Sequence, residues 1–340
     1  MVIKGDIMVN LGLIGLGSQG LEHLEASAFS KKAKITMVCD SNPNTLIKVK
    51  EARPDILTFS SIEEMLPNKG ALNGLVLSLP HHQYGPIWAA IESFHLPVLK
   101  EKPLGRNLAE AMQFFSIFSK PGVFLKTAIQ RRYHPSYSFL ANRIKSGGEP
   151  SRIMEVMATL HLGKKDNHSG WRGDPIKSGG GALLDCGYHL VDLVTSFTGQ
   201  MELISANLWC DGKPATNQMI EDQATLYAKA GNCWIFIEIR KDGEMKNGNI
   251  QKKEEIYLRT TDGEYKADRT GVWLDGKRLM NCDKGWIDTM PKQLDEFADD
   301  IENKRVDYFA IWEQTPVMRV IESAYALARE SFPTGVVNNG

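Results

Sequence analysis

Cysteine, long apolar runs and charge of one sign are all in short supply in this chain of 340 residues, and each shortage removes a class of protein. The five cysteines, Cys39, Cys186, Cys210, Cys233 and Cys282, are odd in number, far apart and free of C-x-x-C spacing. That argues against a disulfide framework or a thiolate metal site and predicts reduced thiols in a cytoplasm. No stretch reaches the about 18 consecutive apolar residues that a bilayer-spanning helix needs. The N-terminal residues carry Lys4 and Asp6 where an export signal would have an apolar core. Met8, just ahead of the first strand, is an alternative start, which would make the preceding residues a disordered extension. Forty Lys and Arg against 41 Asp and Glu leave a net charge of −1, and they are spread along the chain. That argues against a nucleic-acid footprint or a polybasic membrane surface and leaves small polar ligands.

What the chain does have is bulk. Its apolar fraction is 42%, and its length exceeds the roughly 250–300 residues at which one core stops growing, so two domains are expected.

The run Leu11-Gly12-Leu13-Ile14-Gly15-Leu16-Gly17-Ser18-Gln19-Gly20 passes from an apolar strand into G-x-G-x-x-G. A glycine turn between strand and helix lets backbone N–H groups approach a pyrophosphate and aims the positive end of the helix dipole at it. With thirty glycines in the chain the spacing alone is weak, but its context strengthens it. Val9 to Ile14 reads as a buried strand, and Leu21, Leu24 and Ala28 then recur on one helix face. A second strand, Lys34 to Cys39, ends at Asp40, where a carboxylate can accept hydrogen bonds from ribose hydroxyls. Gly15, Gly17, Ser18, Gln19, Gly20, Asp40 and Ser41 are therefore candidate cofactor contacts. A carboxylate there repels a 2′-phosphate, and no Arg follows until Arg53, so NAD is expected. NADP is the alternative, through Ser41, Asn42, Lys48 or Lys50.

Short strands at Leu75 to Leu79, Pro97 to Lys100 and Val123 to Ala128 alternate with helical patterns through the first third. One such pattern is Leu108, Met112 and Phe115, capped by Asn107 with Glu110. Strict alternation implies a parallel sheet covered on both faces. After about residue 130 the texture changes to longer strands: Arg152 to His161, Met201 to Asp211, Glu221 to Ala230 and Cys233 to Arg240. The last two are joined by a hairpin-like turn at Ala230-Gly231-Asn232. Helices are expected near Leu183 to Phe197, Trp286 to Asn303 and Thr315 to Ser331, and Lys241 to Lys253 reads as a polar loop. The expected fold is α/β plus α+β: an N-terminal Rossmann parallel sheet over residues 1–128, then a substrate-binding and oligomerisation domain over 129–340 with an open-faced, mainly antiparallel sheet. Helix 315–331 is expected to pack back on the first domain. The open face predicts a homodimer or homotetramer through the C-terminal sheet.

Two stretches carry chemistry. Lys100-Glu101-Lys102-Pro103 delivers a lysine to the carboxyl edge of the parallel sheet, where ligands of open α/β folds bind. Lys102 reads either as a directed functional group or as a surface lysine in a turn. The run Gly179-Gly180-Gly181 leads to Asp185 and His189, four apart, a spacing that stacks both side chains on one helix face. The three glycines are expected to leave room for a ligand at the backbone. The pair reads either as catalytic or as a capping Asp with a packed histidine. Asp192, one turn on, is expected as a solvated helix charge.

Taken together, Gly15 to Gly20, Glu101-Lys102-Pro103, Gln130-Arg131-Arg132-Tyr133-His134-Pro135, and the triple glycine with Asp185 and His189 resemble the Gfo/Idh/MocA oxidoreductases over nearly the whole chain. The resemblance implies catalytic roles for Lys102, Asp185 and His189. It also implies a substrate-side role for Arg131, Trp171 and Arg172, and cofactor contacts at Pro80 and Glu101. The chain departs from the family where Leu79-Pro80-His81 and then Gln83-Tyr84 replace Thr-Pro-Asn and a following His, which predicts a different nicotinamide-side lining. Gln130 also stands where Asn is usual.

These residues suit hydride transfer between a nicotinamide and a secondary hydroxyl or carbonyl of a sugar, cyclitol or related polyol. An imidazole with an ordinary pKa of about 6.5 is poised to take the hydroxyl proton at neutral pH. Lys102 would bond the same oxygen and Asp185 would orient the substrate or the imidazole. The substrate is expected between the nicotinamide and the second domain's sheet. The alternatives are a glycosidase that oxidises its substrate transiently on bound NAD, and a catalytically inactive nucleotide-sensing regulator. No metal is expected: His81 and His82 are adjacent and diverge, and His161, Asp166 and His168 read as loop or substrate-pocket residues.

Overall fold

In the computed structural model the described residues are 8–118, 123–145, 152–163, 169–216, 219–243, 245–246, 249–250, 252–283, 289–303 and 309–331. Lys4, Asp6, Asp166, His168 and Trp286 lie outside them. Contacts gather the chain into two compact units. The first holds Met1–Gly105, Ala109–His134 and Lys284–Gln314; the second holds Arg106–Leu108, Pro135–Asp283 and Thr315–Gly340.

The first unit is built on six strands, β1 Val9–Ile14, β2 Ala33–Cys39, β3 Leu57–Phe59, β4 Gly74–Leu77, β5 Val98–Glu101 and β6 Leu125–Ala128. Their order in the sheet is β3-β2-β1-β4-β5-β6, with every neighbouring pair parallel. These strands are short and nearly all apolar because helices cover both faces, so alternate residues have no solvent side to turn to. Leu11, Leu13, Val38, Val76 and Leu99 are completely buried. The chain moves outward to one side of β1 and then restarts at β4 on the other. The carboxyl ends of β1 and β4 thus flank the point where strand order reverses, which is where a crevice opens in such sheets. Ile14 is registered with both Cys39 and Leu77, so Gly15, Asp40 and Ser78 leave the sheet at one level.

The helix that joins this core from the C-terminal half is Thr289–Glu302, which the sequence reading had assigned to the second region. Its Met290, Leu294, Phe297 and Ala298 pack with the β1 and β2 side chains, and Phe297 meets Phe124 edge-on at 5.8 Å. Polar contacts register it: the Asp295 carboxylate accepts from Ser30 Oγ at 2.6 Å, and Lys126 Nζ reaches Asp300 at 2.6 Å. Residues 315–331, in the helix Phe309–Ser331, cluster with the second unit.

The second unit carries a nine-stranded sheet. Its strands are β7 Ile153–Gly163, β8 Glu202–Cys210, β9 Lys213–Pro214, β10 Gln223–Ala230 and β11 Cys233–Gly243. After a two-stranded excursion, β12 Met245–Lys246 with β13 Asn249–Ile250, it continues through β14 Lys253–Thr260, β15 Gly263–Asp268, β16 Gly271–Leu274 and β17 Lys277–Asn281. The order is β17-β16-β15-β14-β7-β11-β10-β8-β9, antiparallel except where β7 meets β11. Lys241–Lys253, expected as a loop, is therefore mostly strand among its described residues. Ladder hydrogen bonds join backbone groups, so polar side chains at a solvated edge do not prevent them. One face of this sheet is buried by Val156, Ala158, Leu160, Ile235, Ile237 and Ile239, and the helix Tyr188–Thr198 packs with it. The other face stays open.

Candidate functional site

In the first unit the glycine loop is held by its own geometry. Gly15 has φ +94°, and a Cβ there would stand 2.1 Å from the Ser78 carbonyl oxygen; one on Gly20 would stand 2.0 Å from the Gly15 oxygen. Both positions are glycine because strand, turn and helix touch backbone to backbone. At Gly17 a Cβ would meet no protein atom within 4 Å. Gly17 is also the N-cap of the helix Ser18–Ser27 and offers its N–H groups no side-chain acceptor, and no acidic residue lies in the first turn. That end of the helix is open to an anion.

Asp40 sits beside this loop with both carboxylate oxygens aimed by backbone donors. Leu16 N–H donates to Oδ2 at 2.6 Å and Asn42 N–H to Oδ1 at 2.8 Å. Ser41 is exposed, and Asn42 spends its side-chain oxygen capping the next helix through Asn44 N–H. Among the basic groups that could serve a 2′-phosphate, Lys50 donates to the Pro54 and Ile56 carbonyls and Arg53 pairs with Asp55. These commitments and the Asp40 carboxylate favour an unphosphorylated ribose, with Lys48 exposed on the next helix.

Farther along the same edge, Glu101 and Lys102 leave β5. Glu101 is buried, with Oε1 2.7 Å from His23 Nε2 and Oε2 accepting from Lys102 N–H at 3.2 Å. The Lys102–Pro103 peptide is cis. Pro80 follows β4, immediately before a single turn, His81–Gln83. Arg131 lies buried on the turn Gln130–Tyr133 that leaves β6. The first unit thus brings Gly15, Gly17, Ser18, Gln19, Gly20, Asp40, Ser41, Pro80, Glu101, Lys102 and Arg131 to the carboxyl edge of one sheet. Sequence reasoning missed His23, Tyr84 and Lys100, which lock that edge from behind. The available signal was charge inside a strand, since Lys100 interrupts a run that parallel-sheet burial should keep apolar.

In the second unit, Trp171 and Arg172 occupy the turn Gly170–Gly173, the guanidinium lying 4.4 Å from the Trp171 ring centroid. Arg172 Nε is 4.0 Å from Asp185 Oδ2, and Lys241 Nζ donates to the same oxygen at 2.8 Å. Lys241 belongs to the buried-face register of β11, so the sheet itself supplies the cation that holds Asp185. Asp185 lies on a π-helical turn, Leu183–Gly187, that runs into the helix Tyr188–Thr198, so its spacing to His189 crosses a change of helical winding. Such turns recur at functional sites. His189 is buried, and Asp192 is completely buried in place of the expected solvated charge, because residues 188–194 of this helix are enclosed all round.

Protein stands where each Cβ of the triple glycine would be, while Gly179 and Gly180 also line a cavity of about 170 Å³ with Pro175, Thr216 and Tyr325. A Cβ on Gly179 would stand 2.6 Å from Arg106 Cβ, one on Gly180 2.1 Å from the Tyr325 hydroxyl, and one on Gly181 2.2 Å from the Glu221 carbonyl. The Glu221 carboxylate accepts from Gly181 N–H, Leu183 N–H and the Tyr325 hydroxyl, and burial pushes its pKa up. Glu221, Tyr325 and Lys241 are the residues missed here. They come from the segment before β10, from β11 and from a late helix, and no local spacing announces them. His161 is paired with Glu238 at 2.9 Å on the open face of the sheet, opposite the face that carries Lys241. Among the described residues no cluster of three or more His, Cys, Asp or Glu is arranged to hold a metal ion. No helix among them is long and apolar enough to cross a membrane.

Compared with known protein families, residues 9–128 match the NAD-binding Rossmann-fold domain of the Gfo/Idh/MocA oxidoreductases, and residues 152–336 match that family's C-terminal α/β domain. The chain belongs to this family. Its relatives include the rhizopine catabolism protein MocA of Rhizobium meliloti, 27% identical over 56% of this chain and 57% of MocA. Another is inositol 2-dehydrogenase of Corynebacterium glutamicum, 22% identical over 43% of this chain and 44% of that protein. The matched stretches span about half the length of these relatives. Among solved structures, GenD2 from gentamicin A biosynthesis in complex with NAD superposes with a TM-score of 0.79. It is 19% identical over 98% of both chains, a likeness of fold.

The first unit of this family member fits the dinucleotide its family binds. The open side of Gly17, the uncapped helix end behind it and the two-point anchoring of Asp40 answer to a pyrophosphate and an adjacent ribose diol.

Proposed function

We propose that this protein is an NAD(H)-dependent dehydrogenase or reductase acting on a secondary hydroxyl or carbonyl of a sugar, cyclitol or related polyol. The observation that carries the reading is the first unit's carboxyl edge, where the anchored Asp40, the open glycine cradle and Lys102 follow the ends of β2, β1 and β5 in one parallel sheet. Bound there, the nicotinamide supplies a carbon that accepts or returns a hydride. The residues supply the rest. A His189 imidazole nitrogen takes the hydroxyl proton as the carbon gives up its hydride, and returns it in reduction. The Lys102 ammonium donates to the same oxygen, favouring alkoxide character in oxidation and polarising the carbonyl in reduction. Asp185, paired with Lys241, accepts from a neighbouring substrate hydroxyl. Trp171 offers an apolar face for a sugar ring, and Arg131 and Arg172 offer planar donors.

The reading includes a homodimer or homotetramer formed through the open face of the second unit's sheet. It is supported by Tyr227, Phe236, Met157 and Tyr257, which are exposed and stand in one cross-strand row.

The test is a spectrophotometric scan of sugars and polyols for NAD reduction, run beside a thermal-shift screen of the same compounds with NAD. A substrate that reduces NAD and raises Tm only when NAD is present is the expected result. Release of an aglycone with no net absorbance change would replace this reading with transient oxidation. NAD binding without turnover would replace it with nucleotide sensing. With the substrate in hand, Lys102→Met should lower kcat by about 100-fold or more while NAD binding persists.

A further inference from the structure

Lys100 is the side chain on β5 that a parallel sheet has least reason to hold. It is 1% exposed, in a strand where Val98 and Leu99 are wholly buried. Its Nζ donates to the Glu101 carbonyl at 3.0 Å and to the Pro103 carbonyl at 2.6 Å, the two backbone acceptors on either side of Lys102. The Tyr84 ring lies 3.9 Å from the same nitrogen, and the Phe114 ring 5.7 Å. Tyr84 in turn donates its hydroxyl hydrogen to the Leu77 carbonyl at 3.2 Å and accepts from Leu79 N–H at 3.1 Å. One buried ammonium and one ring therefore tie the exit of β4, leading to Pro80, to the exit of β5, leading to Lys102.

We propose that Lys100 is a positioning residue: its ammonium, sealed beneath Tyr84, fixes the backbone that presents Lys102 and holds the two strand exits at the dinucleotide site together. This rests on the reading of Lys102 given above. A methionine would fill the same volume and remove the cost of a buried charge while leaving the Glu101 and Pro103 carbonyls without this donor. The two effects on stability oppose each other, and the cation's distinctive work is on the backbone that carries Lys102. The groups facing it are the Glu110 and Glu101 carboxylates, the Lys102 ammonium and the Tyr84 hydroxyl, with His23 paired to Glu101 behind. Burial dominates and brings the Lys100 pKa down to about 7. Below that value the side chain is charged and grips both carbonyls with charge-assisted bonds; above it the amine is neutral and the grip weakens.

The experiment compares the full-length protein with Lys100→Met and Lys100→Gln. Lysine side-chain NMR of the cofactor-free protein should show one resonance titrating near neutrality that both variants lack. NADH binding, followed by fluorescence, should weaken about threefold or more between pH 6 and 8.5 in the unaltered protein and stay flat in the variants. The Tm of Lys100→Met should stay within about 5 °C of the unaltered protein's, because loss of the buried charge offsets loss of the donor to two carbonyls, while kcat falls about tenfold and KM for substrate moves less than about threefold. Variants with the original pH dependence and kcat would overturn the proposal, as would losses of activity that only follow losses of Tm. If the unaltered protein turns over no polyol yet shows pH-dependent NADH binding that Lys100→Met abolishes, the polyol reading fails and the positioning role stands.

Discussion

The glycine runs at Gly15 to Gly20 and Gly179 to Gly181 are alike in composition and opposite in use. In the first, the middle glycine turns its missing side chain toward open space while its neighbours are pressed against Ser78 and Gly15 backbone. In the second, all three face protein atoms closer than a Cβ tolerates, supplied by Arg106, Tyr325 and Glu221. The first run leaves the Cβ direction of its middle glycine open; the second is packed in all three Cβ directions, although Gly179 and Gly180 also line a cavity of about 170 Å³. The difference teaches that a glycine cluster marks close approach, and that only the fold decides whether a ligand or the protein itself approaches.

Substitutions can break this comparison. The largest effect is expected at Gly181, where Ala puts a methyl group against the Glu221 backbone. Stability should drop by about 3 kcal/mol or more, read as a lowered denaturation midpoint. Gly15→Ala combines a positive φ with a backbone clash and should cost about as much, again as lost stability. Gly17→Val is the discriminating case. With no protein atom to meet, it should leave Tm nearly unchanged and weaken NAD binding about tenfold or more by calorimetric titration. If it instead lowers Tm as Gly181→Ala does, the two runs are not different in kind. A smaller change is expected from Asp40→Ala, which should narrow the preference for NAD over NADP by about tenfold in Kd ratio. The smallest is Lys241→Met, which removes the cation beside Asp185 and should raise KM for substrate about threefold while NAD binding stays constant.

Much of the first unit was legible because its signals are local. The strand-to-helix glycine turn, Asp40 at the end of β2 and the alternation of short apolar strands with helical patterns all lie within windows of about 30 residues. Strands β14 to β17 were missed although Ile256, Leu258, Tyr265, Ala267 and Val272 alternate with polar neighbours. The charged residues between them mask that alternation until the sheet supplies partners. The helix Thr289–Glu302 was expected in the second region and belongs to the first unit, because amphipathicity says that a face must be buried and not against which sheet. For the same reason His161 read as a loop or pocket residue whereas it stands within β7 on the open face, and Asp192 was expected in water although its helix is enclosed.

On its own, the chain's order of residues determined the ligand class and the side-chain types that could handle a proton, since a phosphate-binding turn and its flanking strand and helix depend on neighbours in sequence. Tertiary structure alone decided which of those side chains stand on an anchored edge and which distant partners hold them. Lys100 beneath Tyr84, Asp185 against Lys241 and Glu221 behind the glycines are long-range or burial-dependent contacts. Their energies come from desolvation and from donors supplied by other elements, quantities that no local pattern contains.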